Sequence, residues 1–138
     1  MENKSLSLEI YINYPGHCQK AFEFYEQHLG GKINDMLSHQ QVPANFPKEW
    51  KNPILHATME IGGTILRGAD VPYAEPMRSA YLTLKFASSA QAEEVYALLS
   101  KDGEVFMKME KTFFANRFAM LRDKFGTSWM LLNDVKTE

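Results

Sequence analysis

Residues 54–70, ILHATMEIGGTILRGAD, decide how this chain folds. Apolar and polar residues alternate on both sides of Gly62-Gly63, which is the period of a strand. Two glycines supply the positive φ that the mirror-image hairpin turns need. Pairing across that turn sets Thr58 opposite Arg67 and His56 opposite Ala69, with Glu60 diagonal to Arg67. His56, Thr58, Glu60 and Arg67 thus share one polar face. Leu55, Ala57, Met59, Ile61 and Leu66 form the reverse, which is expected to be core.

Upstream, LEIYINY (8–14) alternates in the same way, with Leu8, Ile10 and Ile12 inward and Glu9, Tyr11 and Asn13 outward. Pro15-Gly16 breaks the run. HCQKAFEFYEQHLGG follows, with Cys18, Phe22, Tyr25 and Leu29 at helical spacing and Gly30-Gly31 as the stop. Between Asn34 and Pro53 the pattern fails, and Pro43 and Pro47 argue against a long regular element. That stretch reads either as a lid or binding loop, or as a surface excursion whose Phe46 and Trp50 pack on the body.

Downstream, residues 71–79, VPYAEPMRS, read as a linker. The pattern then begins again. YLTLKF alternates from Tyr81 to Phe86, and Ser88 with Gln91 suits a capping box. Ala92, Val95, Tyr96 and Leu99 form a helical stripe that Asp102-Gly103 closes. Three strand-like runs follow: EVFMKME, NRFAMLR and SWMLLN, the last two joined by the turn-rich DKFGT. Tyr11-Ile12-Asn13 matches Tyr81-Leu82-Thr83, and Ala21 and Tyr25 match Ala92 and Tyr96. Gly63-Thr64 followed by Asp70 has the spacing of Gly126-Thr127 followed by Asn133. The chain is therefore an internal repeat, with one module over about 6–70 and a second over about 80–135.

The expected fold is α+β: two βαβββ modules form a curved mixed sheet around a cavity, with the helices outside. At 138 residues, 45% hydrophobic and 23% charged, the whole of 1–138 fits one globular domain. A net charge of −2 with scattered basic residues excludes the footprint of a nucleic-acid binder. No run approaches the roughly 20 apolar residues of a membrane helix. Cys18 is the single cysteine, so no internal disulfide forms. MENKSLSLEIYINY lacks the uninterrupted apolar run of a secretory signal, so a cytoplasmic location is expected.

Four stretches, YINYPGHCQKAFEFYEQHLG, LHATMEIGGTILRGAD, EKTFFANRF and DKFGTSWML, together cover nearly the whole chain. In order and spacing the chain resembles the PhnB-like family of the vicinal-oxygen-chelate superfamily, which includes glyoxalases, extradiol dioxygenases and bleomycin-resistance proteins. That resemblance implies a homodimer. It also implies a divalent metal held by His or Glu from the first and last strands of each half. The matching positions here are Glu9 or Tyr11, Leu66 or Arg67, Tyr81 or Thr83, and Met130 or Leu131. None is histidine, only Glu9 is acidic, and Arg67 brings a positive charge where a cation would sit. The family's WAH pattern reads Phe114-Ala115-Asn116. Some PhnB-like proteins carry a ubiquinone-methyltransferase label, but no glycine-rich nucleotide loop follows a strand here.

The expected ligand is therefore a small organic molecule, bound without metal or other cofactor between Tyr11, Asn13, His56, Thr58, Arg67, Tyr81 and Thr83. Arg67 offers a planar donor fork for a carboxylate or phosphonate, or else pairs with Glu60 across the strands. His56 could act as acid or base, or simply bond its strand neighbours. Glu110 could serve as a base, or be a solvated strand-end carboxylate. Tyr11 and Tyr81 are pocket walls or half-buried packing residues. Cys18 lies on the helical stripe with no paired base, so it is not read as a nucleophile. The methionines of the second half line a cavity or fill core. The alternatives are a lyase-, isomerase- or dioxygenase-type enzyme, with any metal built from Glu9, His56 and Glu110, or a dimeric interaction protein without catalysis.

Overall fold

The computed structural model describes residues 5–135. The chain divides between Ala74 and Glu75 into two compact units, within the stretch read as a linker. The ends of the 1–138 span, residues 1–4 and 136–138, lie outside the described residues.

In the first unit, β1 (Ile10–Tyr14) leads to α1 (Cys18–Leu29), β2 (Lys32–Ser38), β3 (Ile54–Ile61) and β4 (Thr64–Asp70). The strands form one mixed sheet in the order β1-β4-β3-β2. β1 runs parallel to β4, and the other pairs are antiparallel. Gly62 and Gly63 hold φ of 56° and 82°, so the hairpin turn is of the type expected. Its register places Thr58 opposite Arg67, as the alternation requires. One sheet face carries α1, whose Cys18, Ala21, Phe22 and Tyr25 are buried. The helix sits close because β4 has Gly68 beneath it: a Cβ there would lie 2.8 Å from the Phe22 ring and 3.0 Å from Cys18 Sγ.

Three local expectations are corrected in this unit. β1 begins at Ile10, and Leu8, expected inward, is 93% exposed. Residues 32–38, largely inside the stretch read as irregular, form edge strand β2. Its alternation is hidden because the pairing with β3 shifts between Ile33 and Asp35 and again between Leu37 and Ser38. The second shift falls opposite Leu55, which turns outward while Ile54 becomes core. Residues 39–53 remain irregular. They are closed by the His39 N–H donating to the Pro53 carbonyl (3.1 Å). Phe46 stacks edge-on against Trp50, whose indole covers Gly16. These aromatic residues therefore pack on the body.

The second unit repeats the order: β5 (Leu82–Lys85), α2 (Ser89–Ser100), β6 (Glu104–Glu110), β7 (Ala115–Arg122) and β8 (Ser128–Asp134). Its sheet order is β5-β8-β7-β6. Ser88 caps α2 by accepting the Gln91 N–H (3.2 Å), and Ala92, Val95 and Leu99 are buried. In the DKFGT turn, Asp123 accepts from the Phe125 and Thr127 N–H groups and from Trp129 Nε1. Both units are thus βαβββ, and the class is α+β.

Register also refines the repeat. Arg67 pairs with Tyr11, whereas Met130, at the equivalent distance after the Gly-Thr turn, pairs with Thr83. Thr83 rather than Tyr81 occupies the Tyr11 position. A slip of two residues keeps the same face, which is why sequence alternation alone could not detect it.

Candidate functional site

Residues in register across a sheet share a face, and rows two apart along the strands lie on the same side. In the first unit, one row on the face opposite α1 reads Tyr11, Arg67, Thr58, Asp35 from β1 to β2. The next row holds Asn13 against Ala69, and His56 against Leu37. The sheet therefore brings together five of the seven expected ligand-binding residues: Tyr11, Asn13, His56, Thr58 and Arg67.

Arg67 is the hub of this face. Its Nε donates to a Glu9 carboxylate oxygen, and its Nη1 lies 3.2 Å from His56 Nε2. A guanidinium has no acceptor, so His56 must present a lone pair at Nε2 and carry its proton on Nδ1. Its lone pair is thereby engaged by the arginine. Glu60, the partner considered for Arg67, is replaced by Glu9, 58 residues away in sequence. Arg67 Nη2 makes no bond among the described residues. Beside this group Thr58, 7% exposed, donates from Oγ1 to Asp35 Oδ2 at 2.6 Å. Tyr11 is 55% exposed and stands next to Arg67 on the neighbouring strand.

The remaining candidates belong to the second unit. Tyr81 precedes β5 and sets its ring edge-on to Phe106, at 6.4 Å between centroids. Thr83 is exposed, and its hydroxyl lies 3.8 Å from Met130 Sδ. Glu110 is exposed at the end of β6, in line with the solvated strand-end reading. Asn116, in the altered WAH position, donates from Nδ2 to the Asp134 carbonyl at 3.3 Å.

The donors do not suit a hard divalent ion. Among the described residues no three His, Cys, Asp or Glu side chains converge. The Arg67 guanidinium bonds both Glu9 and His56, so a divalent ion taken by those two would meet a fixed positive charge. Cys18 is buried, and burial, reinforced by the Asp70 charge, pushes its thiol far above the ordinary range. That environment disfavours the thiolate a nucleophile requires.

Asp70 was not among the candidates, although its match with Asn133 in the repeat was visible. It is buried at the end of β4. Oδ1 accepts from the Gly16 and Cys18 N–H groups, and Oδ2 from Ile54 N–H. It thereby caps α1, since His17 contributes no capping bond from its side chain. In the second unit Asn133 accepts from the Ser89 hydroxyl and donates to the Phe86 carbonyl. Both residues tie the last strand of a unit to the start of its helix. An open pocket of about 310 Å³ lies over Asp70, lined also by His17, Lys20, Glu23 and Asn52.

Comparison with known proteins agrees with this architecture. The Glyoxalase/Bleomycin resistance protein/Dioxygenase superfamily matches residues 11–131. The YjdN protein of Escherichia coli is 27% identical over 96% of this chain and 98% of its own. The crystal structure of PA1353 from Pseudomonas aeruginosa is 35% identical, with a TM-score of 0.80 over 94% of this chain and 98% of its own. A PhnB protein from Bacillus cereus has a TM-score of 0.79 at 20% identity, over 93% of this chain and 99% of its own, and so shares the fold. The two four-stranded mixed sheets, each with its helix, and the match over nearly all of the chain lead to one conclusion: this protein belongs to the glyoxalase/bleomycin resistance protein/dioxygenase superfamily.

Proposed function

We propose that the protein is a PhnB-like member of the superfamily that binds a small organic molecule on the open face of its first sheet, without a resident divalent metal. The observation that carries this reading is the held guanidinium of Arg67. Glu9 and His56 fix it from two sides, while Nη2 makes no bond among the described residues and the exposed Tyr11 stands beside the arginine. A donor held in place in advance loses little freedom when a ligand arrives. A planar, acceptor-bearing molecule would stack on Tyr11 and accept from Arg67, with Asn13 at the side. Glu9 already balances the arginine charge, so a neutral acceptor such as a carbonyl suits the face, and a carboxylate or phosphonate would have to displace Glu9. The four family-like stretches support the PhnB-like assignment. A homodimer and a cytoplasmic location belong to the same proposal.

The test is a thermal-shift screen of small metabolites and divalent metals against the wild-type protein and Arg67→Ala. A ligand at a hundred times its Kd adds about 2.7 kcal/mol, a rise of about 8 °C for a chain of this size. The rise is expected in the wild type and absent in Arg67→Ala. An equal rise in both removes Arg67 from the site. A divalent ion retained stoichiometrically through purification without chelator would overturn the metal-free reading.

A further inference from the structure

The row of the second sheet that corresponds to Tyr11-Arg67-Thr58-Asp35 is Thr83-Met130-Met120-Met107, running across β5, β8, β7 and β6. Three neighbouring strands thus place a thioether at the same level of the same face. Duplicated positions that are charged and polar in one unit are soft and uncharged in the other. Met107 is 48% exposed, and Met120 and Met130 are half-buried, so the sulfurs are neither sealed in core nor fully hydrated. The Thr83 hydroxyl contact with Met130 Sδ puts that sulfur on the open face.

We propose that Met107, Met120 and Met130 form a thioether site for a soft monovalent cation, Cu(I), on the open face of the second sheet. Adjacent strands are about 4.8 Å apart. Methionine is unbranched with three rotatable bonds, so the outer two sulfurs can lean over the central one and enclose an ion. Neutral thioethers select Cu(I) and cannot replace the hydration of Mg²⁺, Mn²⁺ or Zn²⁺. The surroundings favour the same ion. The adjoining row reads Lys85, Leu132, Phe118 and Glu110, apolar beside the two central methionines and carrying one exposed charge of each sign at its edges. On the other side the Arg122 charge is matched by Glu104 at 2.9 Å. No bond is made or broken beyond coordination.

Silver(I) serves as the redox-stable probe, alongside Cu(I) titrated anaerobically against a chromophoric chelator. The readouts are stoichiometry and the methyl signals of ¹³C-methionine-labelled protein. The expected result is one Ag(I) per chain, with the Met107, Met120 and Met130 methyls shifting and those of buried Met59 and Met109 unmoved. Binding should persist in Cys18→Ala and Met109→Leu, and be lost in Met120→Leu and Met130→Leu. Binding that survives both of those leucine variants overturns the proposal, as does binding that disappears with Cys18. Movement of the same three methyls by Mn²⁺ or Zn²⁺ also overturns it. The labelled wild-type protein decides the matter even if a leucine variant folds poorly.

Discussion

Replacing Asp70 by alanine should destabilise the protein more than any exposed charge substitution. Its carboxylate accepts three backbone N–H groups at 2.8–3.1 Å, from Gly16, Cys18 and Ile54. The bonds from Cys18 and Ile54 are buried, while the Gly16 bond is only partly so. A hydrogen bond to a charged group contributes about 1.5–3 kcal/mol, and a buried donor left unpaired loses its solvation as well. Counting the two buried donors in full and letting water satisfy Gly16 gives about 3–6 kcal/mol. That is a large share of the roughly 5–15 kcal/mol that stabilises an ordinary domain. At about 3 °C per kcal/mol for this length, the melting temperature should fall by about 9–18 °C. Asp70→Asn keeps the shape and one acceptor oxygen but turns an amide N–H toward a donor, so it should fall between. Urea and thermal denaturation followed by circular dichroism measure both variants. A loss within about 1 kcal/mol for Asp70→Ala would refute the claim that this carboxylate pins α1 to β3 and β4.

Other consequences follow from the same packing. Gly68→Ala drives a methyl to within 3 Å of the Phe22 ring and should cost about 1–3 kcal/mol; Phe22→Leu in the same chain should recover part of it, and simple additivity of the two losses would contradict the contact. The Cys18 thiol is raised in the folded state, so the folded protein holds its proton when the unfolded chain has released it. Stability is therefore complete below the ordinary thiol value near 9.0 and declines above it, by up to about 1.4 kcal/mol per pH unit. Denaturation of Cys18→Ala from pH 7 to 11 should lack that thiol-dependent decline; equal pH slopes in both proteins would count against it. Asp123→Ala frees Trp129 Nε1 and two turn N–H groups, so the indole emission should shift and the protein lose about 2–4 kcal/mol; unchanged fluorescence and melting would show that the turn does not depend on this carboxylate.

Periodic segments were legible because their signals are local. The hairpin of β3 and β4, the stripe of α1, the cap at Ser88 and the three closing strands each announce themselves within a contiguous stretch of sequence. β2 did not, because two register shifts break its alternation, and the same irregularity exchanged Ile54 for Leu55 in the core. The members of the polar face on β1, β3 and β4 were anticipated, while Asp35 on β2 was not. Nor was what the members of this face bond: Arg67 found Glu9 rather than Glu60, and Thr58 found Asp35.

By itself the sequence determined the repeated βαβββ order, the faces of most strands and the poverty of hard metal donors at the family positions, since alternation and residue chemistry need no partner to be read. Only the tertiary structure decided which side chains meet. Lateral register aligned three methionines in one sheet and an arginine with its neighbours in the other, and it turned Asp70 into the cap of a helix 52 residues away. Such pairings depend on how strands slide past one another, and a shift of two residues leaves every inward and outward assignment unchanged while replacing every partner.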